Sequence, residues 1–398
     1  MEYSLDDIGR SAPILIIGAG LSGLCLAQGL SQAGIPYAVY ERDPAPGYRR
    51  QGYRLHIDSR GDNALRSVLP RHLHELFQAT AGRPRPVSVL YDEKLTAAGE
   101  FKLENGPANF NINRFTLRQI LLEGLDKVYF GTEFVGYQQN GDSVIAKFSD
   151  GSRVHGSILV GADGVNSRVR RQYLPHARVV DTGLRQLYGK IPLTNQTRDL
   201  FEPEMHTVFC MFGDSTKTVL GIAPVDYPEP VADVCARLAP TLQLRDHDPY
   251  MTCALFIRKD RIGSPDDQLS GLRSARIKDL MLARMKGWDR RIRAMVESSD
   301  PAAAFSVVLR TSLPIGAWEP TNITLLGDAA HAMSSAGASG ANIALKDGAT
   351  LAAAIRSNRA DAIGEYEASM RDYGFSAVEM SLNRAEEFFG QEPITIDP

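Results

Sequence analysis

A chain of 398 residues with 43% hydrophobic and 23% charged content is long enough to bury a sizeable core, as one large domain or two ordinary ones, which argues against a disordered or fibrous protein. The formal net charge of -3 lacks the positive excess from which nucleic-acid and anionic-membrane binders draw affinity, so the expected partner is a small molecule. Cys25, Cys210, Cys235 and Cys253 form no Cys-x-x-Cys pair and are too scattered for a disulfide framework, pointing to reduced thiols and a cytoplasmic setting.

Met1 to Arg10 carries Glu2, Asp6 and Asp7 with no basic stretch ahead of an apolar one, so it reads as a short lead-in and not a secretory signal. Ala12 to Ala27 is nearly all apolar, yet it is shorter than the roughly 20 residues of a membrane span and is broken by Gly18, Gly20, Ser22 and Gly23. No membrane contact is expected. Pro13 to Ile17 predicts a buried strand, Leu21 to Ala33 a helix closed by Gly34, and Pro36 to Glu41 a second strand, together a βαβ unit. In Arg49 to Ile57, polar residues alternate with Tyr53, Leu55 and Ile57; this fits equally a half-buried strand facing solvent and one placing Arg54 and His56 in an active site. His72-x-His74 has the spacing of a metal pair without a third ligand nearby, so a solvated helix face is expected and no metal centre.

Runs at Lys127 to Tyr137, Ser143 to Phe148 and Arg153 to Val160, separated by Asn140-Gly141 and Asp150-Gly151, predict an antiparallel meander leading into the apolar Ile158-Leu159-Val160-Gly161. From about Arg178 to Thr311 the texture changes to strands at Gln186 to Leu193, Thr207 to Phe212, Thr218 to Val225 and Met251 to Arg258, followed by helices, as in an inserted layer. Tyr188, Phe209, Met211 and Phe212 are candidates to line a pocket for a planar substrate, although alternating apolar residues on strands more often face a core. Ile323 to Gly327 predicts another buried strand, Gly340 to Ser357 a helix, and Ala362 to Phe389 a long C-terminal helix or helix pair.

Three glycine constellations carry the chemistry. Gly18-Ala19-Gly20-Leu21-Ser22-Gly23 follows a strand and opens a helix, the setting in which glycines let a backbone turn tightly and approach a pyrophosphate at a helix N-terminus. Glu41 ends the second strand, about 20 residues on, where an acid accepts hydrogen bonds from a ribose diol and would repel a 2′-phosphate. A tightly held dinucleotide here is therefore FAD or NAD and not NADP. Gly161-Ala162-Asp163-Gly164, followed by Ser167, Arg168 and Arg170, places a carboxylate and several cations in one crevice, or else is an Asp-Gly turn before a capped helix. Leu326-Gly327-Asp328-Ala329-Ala330-His331, with Gly337 to Asn342 beyond it, hands an aspartate to a small-residue loop that a flat ligand could approach. His331 fits a structural hydrogen bond better than a catalytic base.

These three segments, in this order, resemble the GxGxxG, DG and GD signatures of the single-component FAD-dependent aromatic hydroxylases, the para-hydroxybenzoate hydroxylase-like group A monooxygenases, near their tetracycline-oxidising and polyketide-tailoring members. The resemblance spans nearly the whole chain. It implies an α/β fold: a Rossmann-like FAD-binding domain with an inserted β-sheet substrate domain and a long C-terminal helix, divided as 1–177, 178–311 and 312–398. It implies FAD held by Gly18, Gly20, Leu21, Ser22 and Gly23, with Glu41 and Arg42 at the adenosine end and Arg118 reaching the cofactor from the helix after Asn113. Asp163 would serve FAD and a transient nicotinamide nucleotide, Asp328 the ribityl and pyrophosphate region, and Gly340, Ala341 and Asn342 the isoalloxazine. Arg54 and His56 would border the reactive edge. The implied reaction uses NADPH or NADH and O2 to hydroxylate or epoxidise an aromatic or polyketide-like molecule through a flavin C4a-hydroperoxide, in secondary metabolism or xenobiotic modification, by a monomer or a dimer. Alternatives on the same fold are an oxidase, a Baeyer–Villiger-type enzyme or a non-catalytic binding scaffold. Where many members have His-Pro-Met, this chain has His331-Ala332-Met333-Ser334-Ser335, which predicts a more flexible loop.

Overall fold

The computed structural model describes residues 12–48, 52–102, 106–245, 247–272 and 274–394, so the lead-in at Met1 to Arg10 and the first residues of the Arg49 to Ile57 segment lie outside the described residues. Five short strands form a parallel sheet in the spatial order Ile323–Leu325, Ile158–Gly161, Ile14–Ile17, Tyr37–Tyr40, Val128–Tyr129. Every residue of the 14–17, 37–40 and 323–325 strands is buried, as continuous apolar runs in a parallel sheet covered on both faces must be. The three glycine constellations all begin at the carboxyl ends of neighbouring strands of this sheet, Ile14–Ile17, Ile158–Gly161 and Ile323–Leu325. That is the edge where open α/β sheets bind ligands.

Val128–Tyr129, expected as the start of the meander, is instead the edge strand of the parallel sheet. It pairs with Val39 and Tyr40, and Glu41 N–H donates to Tyr129 O at 2.8 Å. Gly131, at φ +70°, turns the chain before the meander proper of Phe134–Asn140, Ser143–Phe148 and Arg153–Gly156. His74 also departs from expectation. It lies on the Arg71–Ala79 helix but points inward, its Nε2 2.8 Å from Asp62 Oδ1, while His72 is exposed.

A seven-stranded sheet runs Phe305–Ser312, Val179–Pro192, Tyr250–Arg258, Val219–Val225, Thr207–Gly213, Arg85–Asp92, Ala97–Lys102. Its last two strands come from well ahead of residue 178, so the strands of this layer are not confined to 178–311. The alternation of side chains across its strands gives it two different faces. Leu187, Ile191, Cys253, Leu255 and Ile257 pack with the helical segment around Met281 and Ile292, whereas Leu184, Tyr188, Ala254, Phe256 and Leu309 face the other way. Arg54–Asp58 pairs antiparallel with Asn109–Asn113 as a separate two-stranded ribbon.

Two helices bring the first and third constellations together. Leu21–Gln32 and Gly340–Ser357 pack so closely that a Cβ on Gly348 would lie 2.7 Å from Ser22 O. The Ala362–Phe389 segment is one helix of 28 residues, stopped by Gly390 at φ +62°. Its last turn docks on the large sheet, where Phe389 stacks on Phe256 with ring centres 4.3 Å apart.

Candidate active site

Gly18 takes φ +109°, and a Cβ there would sit 2.4 Å from Ala162 O, so only glycine lets the first strand turn into its helix beside the Ile158–Gly161 strand. Gly23 is equally close to Gly18 O, at 2.2 Å from a Cβ. Gly20 differs: its backbone is ordinary, and a Cβ would meet nothing within 4 Å. It opens onto free space at a helix start with no side-chain cap, where the N–H groups of Leu21, Ser22 and Gly23 stand at the positive end of the helix dipole.

Glu41 and Arg118 hold this loop from two sides. Glu41 accepts from Ala19 N–H at 2.9 Å and from Asp43 N–H at 3.0 Å, and Arg118 Nε donates to Ala19 O at 2.8 Å and Nη1 to Pro46 O. Arg118 Nη2 lies 3.9 Å from Glu41. Each Glu41 oxygen accepts one of these backbone bonds and keeps a lone pair for a further donor. Glu41, Arg42, Arg118, Asp163 and Arg168 line a cavity of about 280 Å³ beside Gly18 and Gly20. Asp163 Oδ2 accepts from Arg168 N–H at 2.6 Å and Val169 N–H at 3.3 Å, anchoring the Arg168–Tyr173 helix, while Oδ1 is enclosed with no partner. Burial pushes this carboxyl above the usual range, opposed by Ser167 and the two N–H groups.

A second cavity, of about 470 Å³, adjoins the first: Gly20, Arg114, Ala162 and Gly164 line both. One extended cleft therefore runs from Glu41 to a chamber under the large sheet. Asp328, first residue of the Asp328–His331 helix, lines this chamber, as do Gly340 and Ala341. Enclosure raises the Asp328 carboxyl above its ordinary range against the pull of His331 and Arg114. Arg54 and His56 face the chamber too, so the polar side of their strand meets the site and not bulk water. Burial lowers Arg54 to about 10, which leaves it a cation, and burial together with Arg54 lowers His56 to about 4, which leaves it neutral. Opposite them are Tyr188, Phe209, Phe256 and Phe305. Of the four aromatic and Met candidates, Tyr188 and Phe209 reach the chamber, whereas Phe212 is in the core behind the sheet and Met211 packs beside the lining.

Asn342 is placed differently from Gly340 and Ala341. Its side chain is fully buried, accepting from Asp58 N–H at 3.0 Å and donating to His56 O at 2.9 Å, so it fixes the Arg54–Asp58 strand to the 340–357 helix. Sequence reasoning passed over two residues. Arg114, beside the chosen Arg118, lines both cavities and lies over the Tyr53 ring at 5.5 Å. Asp347 is wholly buried and accepts from Gly327 N–H, His331 Nε2 and Tyr373 Oη, each at 2.7 Å. Burial disfavours the His331 imidazolium, but Asp347 outweighs it and raises the pKa. His331 thus braces the loop that presents Asp328. The 332–339 loop, expected to be more flexible, is tied by Ser312 N–H to Ala332 O at 2.8 Å and by Ser381 Oγ to Ser334 O at 2.6 Å.

A glycine cradle with open space in front of it, an enclosed unpaired carboxylate oxygen and a cleft continuing to a second aspartate suit an extended dinucleotide, and together define an FAD-binding oxidoreductase fold. The FAD binding domain family matches residues 105–249 and 306–379, and an NAD(P)-binding Rossmann-like domain family matches residues 16–78. A structure from Photorhabdus luminescens subsp. laumondii assigned as an FAD-containing monooxygenase is 30% identical, with a TM-score of 0.82 over 95% of this chain and 99% of that one. The chain is 32% identical to the dual O-methyltransferase/FAD-dependent monooxygenase CTB3 of Cercospora beticola, over 96% of its own length and 47% of that protein. It is 25% identical to the 6-hydroxynicotinate 3-monooxygenase of Pseudomonas fluorescens, over 88% of its length and 84% of the relative's. The chain belongs to the FAD-dependent monooxygenase family. It spans about half the length of the dual-function relatives it matches.

Proposed function

We propose that this chain is an FAD-dependent monooxygenase that uses NADPH or NADH and O2 to hydroxylate or epoxidise a planar aromatic or polyketide-like molecule. The observation that carries the reading is the single cleft joining the Gly18 to Gly23 loop to an aromatic-lined chamber of about 470 Å³ through Gly20, Arg114, Ala162 and Gly164. One end suits a dinucleotide and the other a flat organic molecule, with Asp328, Gly340 and Ala341 at the junction.

Bound flavin, reduced by a nicotinamide nucleotide, supplies the activation of O2, which amino-acid side chains cannot provide. In the balanced reaction one oxygen atom enters the substrate and the other leaves as water, with NAD(P)H giving the two electrons. The protein's share is positioning and dryness. The Glu41 and Arg118 brace fixes the phosphate loop, and the Asp347 hub fixes the Asp328 loop. Tyr188 and Phe305, with ring centres 4.8 Å apart, wall the chamber, and Phe389 closes it from behind Phe256. Two relatives support an aromatic substrate and a tailoring role: one is a 6-hydroxynicotinate 3-monooxygenase, and CTB3 is a dual O-methyltransferase and FAD-dependent monooxygenase. The four buried free cysteines suit a reducing, cytoplasmic setting.

The test is NADPH and NADH oxidation by FAD-supplied protein against a panel of planar phenols. The reading expects retained yellow flavin and NAD(P)H consumption that at least one phenol stimulates by tenfold or more. Protein that fails to hold flavin, or a rate indifferent to every aromatic compound, contradicts it.

A further inference from the structure

We propose that Arg54 is the receptor for an ionised oxygen on the substrate, so that the chamber selects planar aromatic acids and acidic phenols over uncharged rings of the same shape. The proposal rests on the monooxygenase reading of the cleft and names the substrate class it admits.

Four arginines are buried among the described residues, and three of them make two or more close hydrogen bonds to the protein itself. Arg185 is bonded to Asp181 and Asp266 at 2.6 to 2.8 Å. Arg118 is tied to Ala19 O and Pro46 O beside Glu41, and Arg170, though its Nε is without a partner, donates from both terminal nitrogens, to Ala329 O and Val165 O at 2.9 and 2.8 Å. Arg54 has no such set. Its Nε has no partner, its Nη1 reaches only Asn111 Oδ1 at 3.5 Å, and its guanidinium lies over the Phe209 ring at 4.5 Å. No ion pair with a carboxylate is found for it among the described residues. Buried charge of this kind is normally paired, because desolvation otherwise goes uncompensated. Here the guanidinium fronts a cavity, so a ligand can complete the pair.

The surroundings favour an anion. The chamber lining carries Arg54, Arg114 and Arg310 against one carboxylate, Asp328, which is drawn toward His331 and Arg114. His56, two residues along the strand, is neutral and adds a hydrogen-bonding group without charge. The strand that carries it is pinned: the Arg54 backbone N–H donates to Tyr188 Oη at 3.1 Å, and Tyr188 Oη lies 3.3 Å from Thr252 Oγ1. The group that grips the anion thus extends from an anchored backbone and lies against Phe209, one of the rings that wall the pocket. A planar acid lying against the wall formed by Tyr188 and Phe305 would present its charged edge to the guanidinium fork, a geometry that arginine serves better than lysine.

Calorimetric titration of FAD-supplied protein with 1-hydroxy-2-naphthoate and with the uncharged 1-hydroxy-2-naphthamide tests this. Wild type should bind the naphthoate at least about tenfold more tightly, the scale of a charge-assisted pair in an enclosed site. In Arg54→Met the ratio should fall to near one, and Arg54→Lys should restore part of it. Equal affinities in wild type, a preference that survives Arg54→Met, or no naphthoate binding at millimolar concentration would each overturn the proposal. Should Arg54→Met fail to fold, the wild-type ratio and Arg54→Lys still decide. Because heat is read and not turnover, anion preference in a protein that transfers no oxygen would sink the monooxygenase reading and leave the anion site standing.

Discussion

Gly18 and Gly20 stand two residues apart in one loop and are glycine for different reasons. At Gly18 the backbone itself demands it, since φ is +109° and Ala162 O is 2.4 Å from where a Cβ would be. At Gly20 the protein has room, and only a ligand would object. Gly18→Val should therefore destabilise the cofactor-free protein by at least about 2 kcal/mol, from strain of the usual size for a side chain at such a backbone angle plus the clash. Gly20→Val should leave the cofactor-free melting temperature within a few degrees of wild type, a helix N-cap change of about 1 kcal/mol, while weakening FAD affinity at least tenfold. Differential scanning fluorimetry and FAD titration on both variants check this; a Gly20→Val protein that binds FAD normally removes the phosphates from that space. The motif was legible at this scale because its glycines follow from backbone geometry. Asn342 was not, because three residues in a row beside a presumed ligand look alike in sequence, and only packing shows that Asn342 turns to the Asp58 and His56 backbone. Asp347 was hidden for the same reason: a lone aspartate in an alanine-rich helix gives no sign of the three donors that converge on it from distant segments.

Among elements, the helices were the most legible. Gly340–Ser357 and Ala362–Phe389 begin and end where apolar periodicity and stop signals place them. Strand assignment to sheets was less so. Val128 and Tyr129 read as part of the meander, but main-chain hydrogen bonds to Val39 and Glu41 draw them to the parallel sheet, and main-chain pairing leaves no side-chain signature. Arg85–Asp92 joins the large sheet by parallel pairing with Thr207–Gly213, a partner more than a hundred residues away that local pattern cannot supply. The C-terminal helix also carries a pH-sensitive group. Glu367 is fully buried, and desolvation raises its carboxyl to about 7, against Thr324, Trp318 and Arg371. Its folded pKa lies above the unfolded value, so the stability it contributes is complete below the ordinary carboxyl range and is lost as pH rises through about 7. Glu367→Gln keeps the neutral form at every pH. Its melting temperature should therefore fall less than that of wild type between pH 5 and pH 8, and parallel pH profiles for the two proteins would refute the assignment.

At the scale of the whole molecule, the parallel sheet and the large sheet meet along one cleft, and the proposed function belongs to that seam. The sequence pointed to the cofactor half, because phosphate recognition is written in backbone and glycine spacing. It pointed weakly to the substrate half, because a pocket wall and a core face share the same alternation: Tyr188 and Phe209 line the chamber while Phe212, on the same strand as Phe209, is core. Arg54 emerges only when its single long hydrogen bond to Asn111 is compared with the closer sets made by Arg185, Arg118 and Arg170. The central claim, that this cleft brings flavin chemistry to a planar substrate, is tested most directly by isotope. FAD-supplied protein, NAD(P)H and a stimulating aromatic acid are incubated under 18O2, and the product is weighed by mass spectrometry. The account predicts a product heavier by one 18O atom, with the second atom of O2 recovered as water. A product that gains no oxygen, or gains it from solvent, would contradict it.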